Sequence, residues 1–167
     1  MSTSPPPDRS VTRTVATQIV LPQFTNAHGT VFGGQIAAWI DICAAVSAQR
    51  YSRGAVVTAS IDQLHFLAAV KQGMVVELQS QVNMAWNSSM EVGVRIEAED
   101  PLAGTRQHCC SAYLTFVALD GQGHPRTLPP FDPGPDPQDQ RRARQAQERR
   151  ALRLQVREAR QRDAEGV

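Results

Sequence analysis

No apolar run in this sequence approaches the roughly 20 residues that cross a bilayer as a helix. The opening MSTSPPPDRS also lacks the apolar stretch behind a basic start that marks an export signal. Membrane insertion and secretion are therefore not expected, and the cytoplasm is the default location. Cysteine is scarce: there are three, an odd number, with Cys109 and Cys110 adjacent. That pattern builds no disulfide framework and fits free thiols in a reducing compartment. Also missing are a Gly-x-Ser-x-Gly elbow, a Cys-x-x-Cys pair, a His-Glu-x-x-His motif and a phosphate-loop lysine. A serine hydrolase, a zinc site and a P-loop enzyme each lack their parts. The run His108-Cys109-Cys110 looks like a ligand cluster at first sight. Successive side chains of a strand point to opposite faces, however, so the three should not converge on an ion, and no metal site is expected.

Excess charge of one sign is absent as well, the net value being +1. Residues 139–167 carry nine arginines against five acids, +4, which leaves eight bases and eleven acids, −3, for residues 1–138. A mildly acidic body offers no phosphate-binding patch, so nucleic acid is not expected as a partner. With 167 residues, of which 41% are apolar, the chain is long enough for one domain with a real core and too short for two.

The Pro/Ser-rich residues 1–11 read as disordered. A domain follows over 12–128. Residues 129–138, PPFDPGPDPQ, form a spacer that no helix or strand should cross. The Arg-rich segment 139–167 reads as a solvated, partly helical tail with a weak apolar row at Ala143, Ala146, Leu152 and Val156, open to self-association. Inside the domain, Thr12–Val20 reads as a strand and Gly33–Arg50 as an apolar helix. In VVELQSQVNM, Val76, Leu78, Val82 and Met84 alternate with Glu77, Gln79, Gln81 and Asn83. In MEVGVRIEAE, Met90, Val92, Val94 and Ile96 face inward, and Glu91, Arg95 and Glu97 outward. Val56–Leu67 and Thr105–Ala118 are also strand-like. Turns near Lys71–Gly73, Trp86–Ser88 and Asp100–Gly104 would make the last four strands sequential antiparallel neighbours. One helix and a sheet with one apolar face pack by the sheet curling around the helix.

Asp41 is the anomaly in that helix. Its neighbours three and four residues away are Ala37, Ala38, Ala44 and Ala45, small side chains that leave room for another molecule. Burial there would raise the carboxyl pKa and make it a better base; a subunit boundary with an arginine partner is the competing reading. Gly33 and Gly34 at the helix start would let a carbonyl or oxyanion reach bare backbone N–H groups, although Gly-Gly also marks a tight turn. Asn26, in TNAHG, reads as a turn residue whose amide could also hold water or a carbonyl.

The pattern Asn26-x-x-Gly29-x-x-Phe32-Gly33-Gly34, with Asp41 seven residues after the second glycine, resembles the acyl-CoA thioesterases of the hotdog fold, bacterial and cytosolic. The likeness continues through VVTASIDQLHFLAAVKQGMVVEL, NSSMEVGVRIEAE and LTFVALDGQGHPRTLPP, covering residues 12–130. It implies an α+β fold in which a curved antiparallel sheet of five to six strands wraps one long central helix. It also implies hydrolysis of an acyl-CoA to a carboxylic acid and CoA within fatty acid metabolism. Asp41 would be general base or nucleophile, Asn26 would orient water or carbonyl, and the Gly33 and Gly34 amides would hold the oxyanion. Thr58, Asp62, Ser88 and Ser89 match positions near the substrate, and Lys71 could contribute positive charge to CoA binding. No metal or cofactor is implied, coenzyme A being part of substrate and product. The site would form between subunits of a homo-oligomer, a dimer at minimum and a hexamer as a trimer of dimers. Two features depart from the pattern: Trp86 and Asn87 stand where some relatives have an arginine before SSMEV, and the Arg-rich tail is extra. Arg50, Arg53 and Arg95 are further candidates for the CoA phosphates. Two rival readings are a non-catalytic acyl-CoA-binding regulatory module and a hotdog hydratase or dehydratase. For the latter, His28 and His65 lack the needed spacing to a carboxylate.

Overall fold

Period-two burial and period-3.6 burial divide the chain cleanly. The computed structural model describes residues 9–165, so most of the segment expected to be disordered lies outside the described residues. Arg9–Thr12 form a helical turn, α1, followed by β1 (Thr14–Ile19), α2 (Gly33–Ser52), β2 (Val56–Ile61), β3 (Val75–Ala85), β4 (Ser89–Asp100), β5 (Thr105–Ala118) and α3 (Pro137–Glu165). Five strands form one antiparallel sheet in the order β1-β3-β4-β5-β2. Helix α2 contacts all five of them. Its buried side, Ile36, Trp39, Ile40, Cys43, Ala44, Ser47, Ala48 and Tyr51, recurs every three or four residues. That side meets Val76, Leu78, Val92, Val94, Ile96, Ala112, Leu114 and Phe116 from the sheet in one core cluster. Burying each large apolar side chain contributes about 1.5–3 kcal/mol. The one hydroxyl on the buried side of α2 before its last turn is satisfied: Ser47 Oγ hydrogen-bonds to Ser80 Oγ at 2.7 Å and donates to Thr14 Oγ1 at 3.0 Å.

Three features differ from the sequence reading. First, β2 is not the neighbour of β3. It pairs with β5 at the far edge, and strand pairing ends at Ile61 rather than Leu67. The return segment runs beside β5, with the Asp62 N–H on Tyr113 O and the Leu67 N–H on Cys109 O. It then passes the start of α2, where Val31 N–H donates to Val70 O, and enters β3 next to Val20.

Second, alternation breaks at bulges: one lies in β2 between Thr58 and Ser60, and two more change which side chains are buried. The β3–β4 register shifts between Val82 and Met84, which buries Asn83 and turns Met84 half out. Glu91, expected on the solvated side, is fully buried and accepts from Asn83 Nδ2 at 3.2 Å. Gly93 makes room for that amide, since a Cβ there would lie 2.6 Å from Nδ2. The β4–β5 register shifts at Cys109, so Cys109 and Cys110 are both buried. An extra residue in one strand cancels the facing rule locally. The thiol–thiol hydrogen bond holds Cys109 below the usual thiol range and, with burial, raises Cys110. Among the described residues no three His, Cys, Asp or Glu side chains group as metal ligands.

Third, the chain divides at 131/132 into two compact units, inside the expected spacer. Pro129 and Pro130 belong to the first, their carbonyls accepting from Tyr51 Oη at 3.0 and 3.2 Å. The second unit is α3, helical from Pro137 to Glu165. Proline is tolerated in a first helical turn, where its missing N–H has no helical partner to lose. Asp136 Oδ1 accepts from the Gln138 N–H at 2.9 Å to cap that turn. Leu152 and Val156 of the weak apolar row remain exposed. Among the described residues no helix is long and apolar enough to cross a membrane.

Candidate active site

Helix α2 begins against its own interest. Two glycines in a first turn cost about 1 kcal/mol each relative to alanine. The N-cap, Phe32, has extended backbone angles and offers no side-chain acceptor. Phe32 O accepts from the Gln35 and Ile36 N–H groups. The Gly33 and Gly34 N–H groups have no partner among the described residues, and both glycines are exposed. Unpaired N–H groups at the positive end of a 20-residue helix make a ready acceptor of negative charge.

The turn before them is braced by Asn26. Its Oδ1 accepts from the His28 N–H at 2.9 Å and the Thr30 N–H at 3.3 Å, and Nδ2 donates to Thr30 Oγ1 at 3.0 Å. The turn reading of Asn26 therefore holds in its geometry, with one Nδ2 hydrogen left for anything else. Lys71 lies alongside through the Thr30–Lys71 bridge. Asn26, Gly33, Gly34 and Lys71 thus gather at one end of α2, and the start of the return segment, Asp62, runs along β5 towards it.

Asp41 belongs to a different place. It is half-buried rather than sunk, because α2 packs on the sheet with one side only. Gly34, Ala38, Ile42 and Gln49 are exposed on the other side, with Ala45 half-buried among them. The burial expected of Asp41 is therefore partial in a single chain. Its carboxylate is held by β2, Thr58 Oγ1 donating to Oδ1 at 2.7 Å. Ser88 and Ser89 sit at the β3–β4 turn, where Ser88 O accepts from the Ala118 N–H and Ser89 lies opposite Val117 of β5. Val57 of β2 faces that same Val117, so the serines approach the Asp41–Thr58 end from two strands away.

Other candidates have structural employment. Arg50 donates to Arg13 O at 2.7 Å, tying α2 to β1. Arg53 takes a left-handed conformation to close α2, its N–H on Gln49 O. Arg95 pairs with Glu97 at 2.9 Å. His28 and His65 are both exposed. Sequence reasoning missed Phe66, whose ring packs on Gly33. It lies in the part of Val56–Leu67 that was expected to be strand and is not.

Residues 28–105 match the thioesterase superfamily. A Bacillus subtilis protein named as an uncharacterized acyl-CoA thioester hydrolase, YkhA, is 42% identical over 117 residues, covering 70% of this chain and 68% of that one. Mouse acyl-coenzyme A thioesterase 11 is 39% identical over 144 residues, covering 86% of this chain, which spans 24% of that longer protein. Among solved structures, a hexameric acyl-CoA thioesterase in its apo form superposes with a TM-score of 0.85 at 35% identity, covering 93% and 97% of the two chains. The Staphylococcus aureus acyl-CoA hydrolase, in complex with butyryl coenzyme A, coenzyme A and coenzyme A disulfide, superposes with a TM-score of 0.81 at 36% identity, covering 93% and 97%. That enzyme has also been solved as alanine variants at an aspartate, a threonine and an asparagine. The curled five-stranded sheet around α2 and these likenesses together show that the chain belongs to the acyl-CoA thioester hydrolases of the thioesterase superfamily, with the hotdog fold.

Proposed function

We propose that this chain hydrolyses acyl-CoA thioesters to a carboxylic acid and free CoA, in a site assembled from two copies. The observation that carries the reading is the pair of bare N–H groups at Gly33 and Gly34, combined with a carboxylate seven residues further along the same helix. Seven residues of α-helix rise about 10 Å. One thioester carbonyl therefore cannot meet both features of one chain, but it can meet the helix start of one copy and Asp41 of another. The open side of α2 and the unpaired edge of β2, with Ile42, Val57 and Ile61 exposed, supply an apolar surface for that second copy. A dimer is then the minimum unit, and a trimer of dimers accords with the hexameric relative.

In the reaction the Gly33 and Gly34 N–H groups polarise the thioester carbonyl and hold the oxyanion as it forms. Asp41, fixed by Thr58, takes a proton from the attacking water. Collapse of the tetrahedral intermediate breaks the C–S bond, and the CoA sulfur leaves, taking up a proton to become the thiol. The remaining Nδ2 hydrogen of Asn26 can orient water or carbonyl. Lys71 near the helix start is a candidate for a CoA phosphate, with Asp62, Ser88 and Ser89 as further substrate contacts. Every step uses groups of the chain and water, so no metal or other cofactor is required. We assign the reaction to the cytoplasm and to fatty acid metabolism. The test is release of free thiol from acetyl- to palmitoyl-CoA by the full chain and by Asp41→Ala. We expect a loss of about 10²-fold or more for the variant; a loss under about tenfold, roughly 1.4 kcal/mol of barrier, would refute the base role.

A further inference from the structure

One aromatic ring stands beside the helix start to which the proposed reading gives the thioester carbonyl. Phe66 Cε2 and Cζ are 3.3 and 3.5 Å from the point that a Cβ on Gly33 would occupy. The ring therefore fills the space left by the missing side chain, against the residue whose N–H is open. It is nevertheless 46% exposed, next to Phe32 at 51% and Leu67 at 70%. Exposed large apolar side chains gathered at one spot mark a binding surface more often than chance. Nor is the ring on a loose loop. The Asp62 and Leu67 N–H groups donate to Tyr113 O at 2.9 Å and Cys109 O at 2.8 Å, and Cys109 Sγ donates to Ala68 O at 3.5 Å. The backbone on both sides of Phe66 is tied to β5, which anchors the base of the ring beside Gly33.

We propose that Phe66 determines which acyl groups the site accepts, its ring forming the wall against which the first carbons beyond the carbonyl pack. The proposal rests on the hydrolase reading above. A carbonyl oxygen received by the Gly33 N–H brings the α and β carbons of the acyl group within reach of the phenyl face or edge. A flat wall at that distance favours unbranched acyl groups and disfavours a branch at the α carbon. Discrimination by one methyl or methylene in an apolar pocket is worth roughly 10- to 200-fold.

The experiment measures kcat/KM for acetyl-, butyryl-, isobutyryl-, octanoyl- and palmitoyl-CoA with wild type, Phe66→Ala and the more conservative Phe66→Leu. Thermal melts check folding, and inhibition by free CoA is measured alongside. We expect the isobutyryl-to-butyryl ratio to rise about tenfold or more in Phe66→Ala and by less in Phe66→Leu, with CoA inhibition unchanged. A uniform loss across all esters, or weakened CoA inhibition without a change in the ratios, would assign the ring a structural role and overturn the proposal. Unchanged ratios in two folded variants would overturn it too, while leaving the hydrolase reading standing. No hydrolysis of any ester by wild type would overturn both.

Discussion

Two inactive variants of this chain should restore each other's activity. Asp41 lies about 10 Å along the axis of α2 from Gly34, at 1.5 Å per residue. Its carboxylate oxygens extend only about 3.5 Å beyond its Cα, by ordinary bond lengths, the first-turn N–H groups point away from it, off the start of the helix, and Thr58 pins it from β2. A base must come within about 3 Å of the proton it takes, directly or through one water. Asp41 therefore cannot act on a carbonyl held by Gly34 of its own chain. The perturbations are Asp41→Asn, which removes the proposed base, and Gly34→Val, which blocks the approach to the N–H groups. Gly34 has nothing within 4 Å of the position of an added Cβ, so the fold should accept valine while the ligand does not. Each variant alone should lose about 10²-fold or more in turnover. When the two are unfolded together in equal amounts and refolded, about half of the dimers should be mixed. Each mixed dimer then holds one site with both native parts, so about a quarter of wild-type thiol release should return. The assay is thiol release from one acyl-CoA, on mixtures and on separately refolded controls. Activity no higher than the mean of the two controls, with mixed dimers demonstrated by two affinity tags, would refute the two-copy site.

Neighbouring isoleucines on α2 should behave oppositely. Ile40 is fully buried and Ile42 is 65% exposed, so Ile40→Ala should cost about 2–5 kcal/mol in urea unfolding. Ile42→Asp should instead leave the circular dichroism spectrum intact and reduce the assembly by size-exclusion chromatography. On the outer face of the sheet, the Gln79 amide, helped by Arg106, holds the Glu77 carboxyl below its usual range. A depressed carboxyl contributes stability above its unfolded pKa and loses it as pH falls through the folded value. Glu77→Gln should therefore be destabilised at pH 7 by under about 1 kcal/mol, as for any exposed pair. Urea titrations should show the difference shrink as pH falls below the ordinary glutamate range.

The parts of the fold written in local periodicity were readable. Val76, Leu78, Met90, Val92 and Val94 alternate because a half-buried strand needs nothing else. The run from Gly33 to Arg50 had to be a buried helix, with Asp41 as its oddity. The partner of β2 was not readable, because a strand carries no local mark of which neighbour accepts its hydrogen bonds. The bulges at Asn83 and Cys109 were hidden for a related reason: one inserted residue is decided by the opposing strand. Hence Glu91, polar and in phase with the solvated face, gave no sign of its burial. At the site, Asp41 and the glycines stood out by type alone. Their separation on the helix needed only arithmetic, yet it acquires meaning once the open side of α2 and the edge of β2 are seen together. Phe66 was passed over because the strand-like reading of Val56–Leu67 ran through it, and strand pairing ends at Ile61.

In the proposed two-copy site the spacing between the bare helix start and Asp41 works as a ruler, which would restrict how this gene can drift. Deleting one residue between Gly34 and Asp41 would rotate everything beyond it by about 100°, swinging the carboxylate from the open side to the place where buried Ile40 now lies, and inserting one would carry it to the far margin of the open side, where Ile42 now lies. Insertions of three or four residues would nearly restore the angle but displace the acid by about 5 Å along the axis, beyond what a neighbouring copy could follow. Length variation among descendants of this chain should accumulate in the Asp100–Gly104 and Gly121–Gly123 turns instead, and that helical interval should stay fixed even where its letters change.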